Sequence, residues 1–300
     1  MRAHAPLLVL LVLTAPASAE PVAPIQAPTA AQRQGYWNQG KAELTSFELQ
    51  QARYGELHPG SAVLIFVTEP FSKTKQVKLD DPRRAPDDAV EVLKLNFSRK
   101  FETGLYPYSV LTSVFTPTDG TPTLKVSSST QEWCGHVFMQ LNREPQGGLR
   151  GELRSYFESE GDAAFEVPDG VLLEDEVWST LRLDPNRAPK GAVKMLPGLT
   201  FLRLRHVPAE PQDAQASLQR IGDGRLAWEV RYPKLDRTLR IELEDRFPFR
   251  ILAFSERYLS GFGPGAVPLT TTGTRKKELM IDYWNRHARS DAELRDALGL

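Results

Sequence analysis

Apolar and polar residues alternate with period two along much of the chain. In LAWEVRY, Leu226, Trp228, Val230 and Tyr232 alternate with Ala227, Glu229 and Arg231; in RTLRIELED, Leu239, Ile241 and Leu243 alternate with Arg240, Glu242 and Glu244. That pattern predicts two half-buried antiparallel strands. Asp223-Gly224 supplies a turn before the first and YPKLD joins the two, with RILAFSERY as a third member of the meander. Further upstream, VLKLNFSRKF, YSVLTSVF, TLKVSSSTQ and LRGELRSYFE read as amphipathic strands, with turns at Asp119-Gly120 and Gly147-Gly148. The continuous apolar run SAVLIFVT at 61–68 predicts a strand buried on both faces. Alternation also runs through TQEWCGHVFMQLN. Read as one strand, it places Glu132, Cys134, His136 and Phe138 on one face and Trp133, Gly135, Val137, Met139 and Leu141 on the other. In FLRLRHV, Leu202, Leu204 and His206 share an inward face.

Two segments read as helical. Within GVLLEDEVWSTLRL at 170–183, Leu173, Val177 and Leu181 form one apolar stripe at i, i+4 and i+8. The segment RKKELMIDYWNRHARSDAELRDALGL predicts one or two helices, with Ser290 as N-cap and Glu293 completing a capping box. The expected fold is mainly β: an antiparallel meander curled into a closed or half-open barrel, with one short internal helix and a C-terminal helix. Curling hides the edges of a long meander, and the internal helix then plugs or lids the open side. Residues 36–300 read as one domain, with its C-terminal helical segment from about 276 to 300.

The N-terminus departs from this pattern. MRAHAPLLVLLVLTAPASA has one arginine, an apolar run over Leu7–Leu13, and small residues at Ala17 and Ala19, the layout of a signal peptide over 1–19 cleaved near Ala19. The run is too short to span a bilayer, and no later segment is long and apolar enough to do so. The mature chain is therefore expected in the periplasm or secreted. EPVAPIQAPTAAQRQG at 20–35, rich in Pro, Ala and Gln, is expected to be a flexible tether.

Charge and cysteine content narrow the chemistry. With 37 basic against 38 acidic residues, the formal charge of -1 argues against nucleic acid as a partner. Cys134 is the single cysteine, two residues from one of five histidines, so export leaves it without an intramolecular partner. Three readings follow for Glu132, Cys134 and His136. They form a nucleophilic site, in which a base activates the thiol; Gln131 precedes the Cys-Gly pair as in papain-like proteases, and Asn285 and His287 lie downstream. They ligate a metal, with help from His58, His206 or His287. Or Cys134 is a small hydrophobe on a half-exposed strand face, the preferred reading. No metal or other cofactor is expected. His206 and Trp228 are candidate ligand-binding residues if the barrel is hollow. The arginines 203, 205, 231, 237 and 240 read as a solvated sheet face paired with Glu229, Glu242 and Glu244 rather than as an anion site. Phosphate loops, Gly-x-Ser-x-Gly elbows and paired-histidine zinc motifs are absent from the sequence.

Through YWNQGKAELTSFELQQARYGE, KLNFSRKFETGLYPYS and SSTQEWCGH, over roughly residues 36–258, the chain resembles a group of uncharacterised exported bacterial proteins, some labelled septum formation inhibitor Maf. Maf pyrophosphatases carry a Ser-x-Ser-Pro-Arg-Arg loop near the N-terminus. This chain has Asp81-Pro82-Arg83-Arg84 without the serines, so no Maf catalytic residue carries over. The expected architecture is similar to periplasmic half-barrel carriers of the lipoprotein-sorting type, which implies an acyl chain sheltered by a curved sheet. The function expected first is thus a non-enzymatic envelope binding or carrier protein for a lipid or other apolar small molecule. An exported enzyme using the Glu132, Cys134 and His136 face is the alternative, as is a structural protein whose partner is another envelope protein.

Overall fold

The computed structural model describes residues 25–300, so the expected signal peptide lies outside the described residues. A short helix α1 (Ala30–Trp37) leads into β1 (Ala42–Arg53), β2 (Glu56–Ser72), β3 (Ala89–Thr103) and β4 (Tyr106–Pro117). Next come β5 (Lys125–Glu132), β6 (Gly135–Arg143), β7 (Leu149–Ser155), β8 (Asp162–Val167) and the two-residue β9 (Leu172–Leu173). Helix α2 (Glu174–Leu183), β10 (Gly191–Leu196) and helix α3 (Leu199–Arg205) follow. The chain ends with β11 (Gln212–Gly222), β12 (Arg225–Tyr232), β13 (Arg237–Glu244), β14 (Ile251–Ser260), β15 (Val267–Ile281) and helix α4 (Glu293–Ala297).

All fifteen strands belong to one sheet, in the order β8 to β1 and then β15 to β9. Neighbours pair antiparallel except β9 with β10. Two meanders are joined where β1 meets β15, leaving β8 and β9 as free edges, so the sheet is not closed by hydrogen bonds among the described residues. Yet only the four residues Pro168–Val171 connect those edges. From Val167 to Leu172 the chain spans at most about 18 Å, so the sheet must curl until its ends nearly meet. The mainly-β, half-open form of the predicted barrel is what the chain adopts.

Helices α2 and α3 fill the inside of the curl. The predicted stripe of Leu173, Val177 and Leu181 is buried, and Trp178 packs edge-on against Phe97 of β3 (5.0 Å) and Phe254 of β14 (5.6 Å), tying the two meanders together. The acidic first turn Glu174-Asp175-Glu176 suits a helix N-terminus. FLRLRHV is helical rather than extended: almost every side of α3 is buried, so apolar positions there reveal no period, and His206 ends it in a left-handed cap at φ 52°. Trp228 is fully buried and its indole N–H donates to the Pro189 carbonyl (2.9 Å), which makes it a core anchor rather than a ligand contact.

SAVLIFVT lies within β2. Ala62, Leu64 and Phe66 face the inner core, while Val63, Ile65 and Val67 meet a second apolar layer formed with Leu44, Leu279, Leu298 and Leu300. The C-terminal residues build that layer by folding back over the convex face, where Ser46 donates to the Leu298 carbonyl (2.5 Å). RKKELMI is strand, not helix, because it pairs with β1 at the middle of the sheet, while the first half of the same strand, Val267–Thr274, pairs with β14. Helix is confined to Glu293–Ala297, and Ser290 lies in the 3-10 turn before it rather than at its cap. The expected tether is also corrected over residues 25–35. Ile25 is buried and exchanges hydrogen bonds with Asn186, and Thr29 caps α1 in a capping box with Gln32.

Candidate functional site

Residues 130–136 form a hairpin tip instead of one strand. Glu132 pairs with Gly135 and Gln131 with His136, while Trp133 and Cys134 make the turn. Reversal at the turn shifts the alternation by one residue, so Glu132 faces the concave side and exposed His136 the convex side. Val137, Met139 and Leu141 meet the core as expected, but Trp133 is 67% exposed and lies over Tyr106. Gly135 is needed for packing: a Cβ there would lie 2.5 Å from the Tyr156 ring.

The nucleophile reading fails on this geometry. Cys134 is exposed, and Glu132, whose carboxylate accepts the Cys134 backbone N–H (3.0 Å), pushes its thiol pKa up. An activated thiol needs the opposite shift. The metal reading fails as well. His58 is buried against the Arg53 carbonyl, His287 is exposed, and no group of three His, Cys, Asp or Glu converges among the described residues.

Glu132 instead points at α3, its carboxylate 3.5 Å from buried Arg203. The Arg203 guanidinium lies over the Phe157 ring (4.6 Å) and reaches Nε2 of His206 (3.0 Å), whose Nδ1 contacts Glu160 (2.5 Å). Arginine only donates, so Nε2 is the acceptor and Nδ1–H donates to the carboxylate. Burial lowers the His206 pKa, outweighing the help from Glu160, and the imidazole is neutral near pH 7. The arginines 203, 205 and 237 thus sit in or beside the interior rather than on a solvated sheet face, whereas 231 and 240 pair with Glu229 and Glu242 as expected.

Beside His206 lies a cleft of about 350 Å³ at the seam of the curl. Leu153 of β7 and Ala163 and Phe165 of edge strand β8 form one wall, and Leu202, Val207 and Ala209 on and after α3 form the other. Phe165 lies flat against its pairing partner Gly151, where a Cβ would come within 2.3 Å of the ring, and this seats it at the wall. Ser159, Glu160, Arg203, His206 and Glu210 make the polar end. Exposed Phe262 flanks His206 (5.8 Å), and exposed Tyr156 flanks Phe157 (5.3 Å). Of the candidate site residues read from sequence, only His206 lines this cleft; Leu202 and Met139, expected to face inward, and Arg203, expected on a solvated sheet face, line it as well. Glu160, its other polar partner, carries no motif that would have found it.

Between α2, α3 and the middle strands the interior is packed, with a void of only about 20 Å³, room for one water. Arg237 is held bidentate by Glu174 (2.5 and 2.6 Å) and also donates to Glu256 (2.7 Å), which lies 3.5 Å from Arg99; Tyr232 donates to Glu174 (2.7 Å). Asp175, half-buried beside Glu174, accepts the Leu199 N–H (2.9 Å), and desolvation pushes its pKa up to about 7. A second buried pair, Arg182 with Glu43 (2.5 and 2.6 Å), ties α2 to β1.

No protein-family model matches this chain, and no curated protein matches it. Among solved structures, it is similar to a β-barrel-like protein of domain of unknown function DUF1849 from Brucella abortus. The match has a TM-score of 0.46 at 9% identity and covers 81% of this chain and 98% of that one. No helix among the described residues is long and apolar enough to cross a membrane.

Proposed function

We propose that this chain is an exported bacterial envelope protein that binds an apolar ligand, such as an acyl chain with a polar end, in the cleft at the seam. One observation carries the reading: the cleft has apolar walls on both sides and a polar end built by His206, Glu160 and Arg203. Its volume of about 350 Å³ is in the range of small-molecule sites. The packed centre excludes a ligand inside the curl itself, so the binding place moves from a hollow barrel to its unclosed edge. The leader-like residues 1–19 and the resemblance to exported proteins support the compartment.

Fluorescence titration with cis-parinaric acid tests the binding. Wild-type protein is expected to bind it at micromolar concentration, and Ala163→Trp, which fills the cleft from a half-buried position, to weaken binding at least tenfold. Failure of the wild type to bind, or equal binding by the variant, overturns the reading.

A further inference from the structure

A separate groove of about 850 Å³ lies on the convex face, lined by the β2–β3 loop and the outward residues of β5, β6 and β7. Its charge is one-sided. Lys73, Lys75, Lys125, Arg143 and Arg150 line it against a single carboxylate, Glu144, which pairs with Arg150 (3.4 Å). Among the described residues the other four cations form no ion pair. Lys125 is partly buried, and burial lowers its pKa.

The groove is also pre-formed. Buried Gln76 donates to the Arg143 carbonyl (2.6 Å), and its side-chain oxygen accepts from Asn142 (2.8 Å) and from the Arg143 N–H (3.2 Å). These bonds hold Gln76 in a left-handed conformation at φ 52° and clamp the loop to the end of β6. On the other side, the Thr74 N–H donates to Asp88 and the Lys75 N–H to Ser72, each at 2.8 Å. Lys73 and Lys75 therefore project from a fixed loop. Gln140 and Asn142 add amide groups to the floor, and no residue lining the groove is aromatic, which leaves nucleic-acid bases without a stacking surface.

We infer that this convex groove is a binding site for a phosphate-bearing ligand. The lining cations that form no ion pair supply the charge, Lys125 also donating to the Gln76 carbonyl (3.4 Å) and Arg143 to the Thr123 carbonyl (3.1 Å), and the Gln140 amide, which donates to Asn142 (2.7 Å), closes the floor beside the phosphate. Phosphate is common to lipid headgroups and soluble phosphoesters, and the test separates them.

Isothermal titration of the full chain with inorganic pyrophosphate, and co-sedimentation with phosphatidylglycerol against phosphatidylcholine vesicles, read the site directly. Binding of pyrophosphate, of phosphatidylglycerol alone, or of both is expected, weakening as salt is raised. Pyrophosphate alone assigns a soluble ligand, and vesicles alone a headgroup. The double variant Lys75→Ala and Lys125→Ala should lose at least tenfold in affinity, while Lys194→Ala on β10 loses none. Should the double variant melt below the wild type, Lys75→Gln at the exposed loop should still lose about threefold. The cleft-filling Ala163→Trp should bind normally. The inference is overturned if neither probe binds, if the double variant binds like wild type, or if citrate competes as well as pyrophosphate.

Discussion

The centre of the curl and its seam are lined by the same strands and differ in what fills the space. At the centre, α2 and α3 press Trp178, Leu181 and Phe201 against both meanders, and the polar groups that remain are locked into ion pairs. At the seam the final strand-to-strand contact is missing, and Phe165, Leu153 and Leu202 face a cleft instead of one another. Stability is concentrated in the first region and accessible surface in the second. A half-open barrel can therefore keep a rigid body and still offer a binding edge.

The largest expected test of that contrast is Arg237→Ala. It leaves Glu174 and Glu256 buried without their main partner, and breaking such a pair costs about 3–5 kcal/mol. Chemical denaturation should show that loss, while Ala163→Trp at the seam shifts the midpoint far less. Equal losses at the two places would erase the distinction.

Asp175 gives the next effect, one that depends on pH. Its folded pKa of about 7 lies above the ordinary carboxylate range. Below that ordinary range both folded and unfolded chains hold the proton and nothing is lost. As pH rises towards 7 the unfolded chain releases its proton first, so this group's contribution to stability falls and then levels off above 7. Asp175→Asn, which still accepts the Leu199 N–H, should gain on wild type in melting temperature from about pH 4 to 7. A constant difference over that range would mean that Asp175 is not held in its protonated form. Glu43 and Glu256 act oppositely: their arginine partners hold their pKa values down, so their stabilisation fades as pH falls through the acid range.

The smallest effect is expected at the hairpin tip. Cys134→Ser should leave the melting temperature and cis-parinaric acid binding unchanged, and the exposed thiol should react with maleimide in the native state at a rate that rises with pH. Protection of the thiol until unfolding would show that the tip is covered.

Much of the sheet was legible because its turns use glycine where geometry demands it. Asp223 and Gly224 both have positive φ, the requirement of a tight hairpin, and the strands on either side fall where alternation puts them. The hairpin at Trp133-Cys134 gave no such signal: neither residue nor Gly135 has positive φ, so nothing in the letters marks the reversal. The second half of β15 was hidden for a different reason, since Lys-Lys-Glu-Leu-Met favours helix locally and pairing with β1 overrides it. As a ligand site the cleft was legible only through His206, because its walls come from β7, β8 and α3, which become neighbours once the sheet has curled.

The pairing of Ala42 with Ile281 sets the order of assembly. β1 lies at the middle of the finished sheet but is made among the first strands, and its second neighbour, β15, is made last. Until the ribosome has released nearly the whole chain, the N-terminal meander has an unpaired edge and α2 has only part of its socket. Such a late-closing fold delays its own completion until its last strand is made.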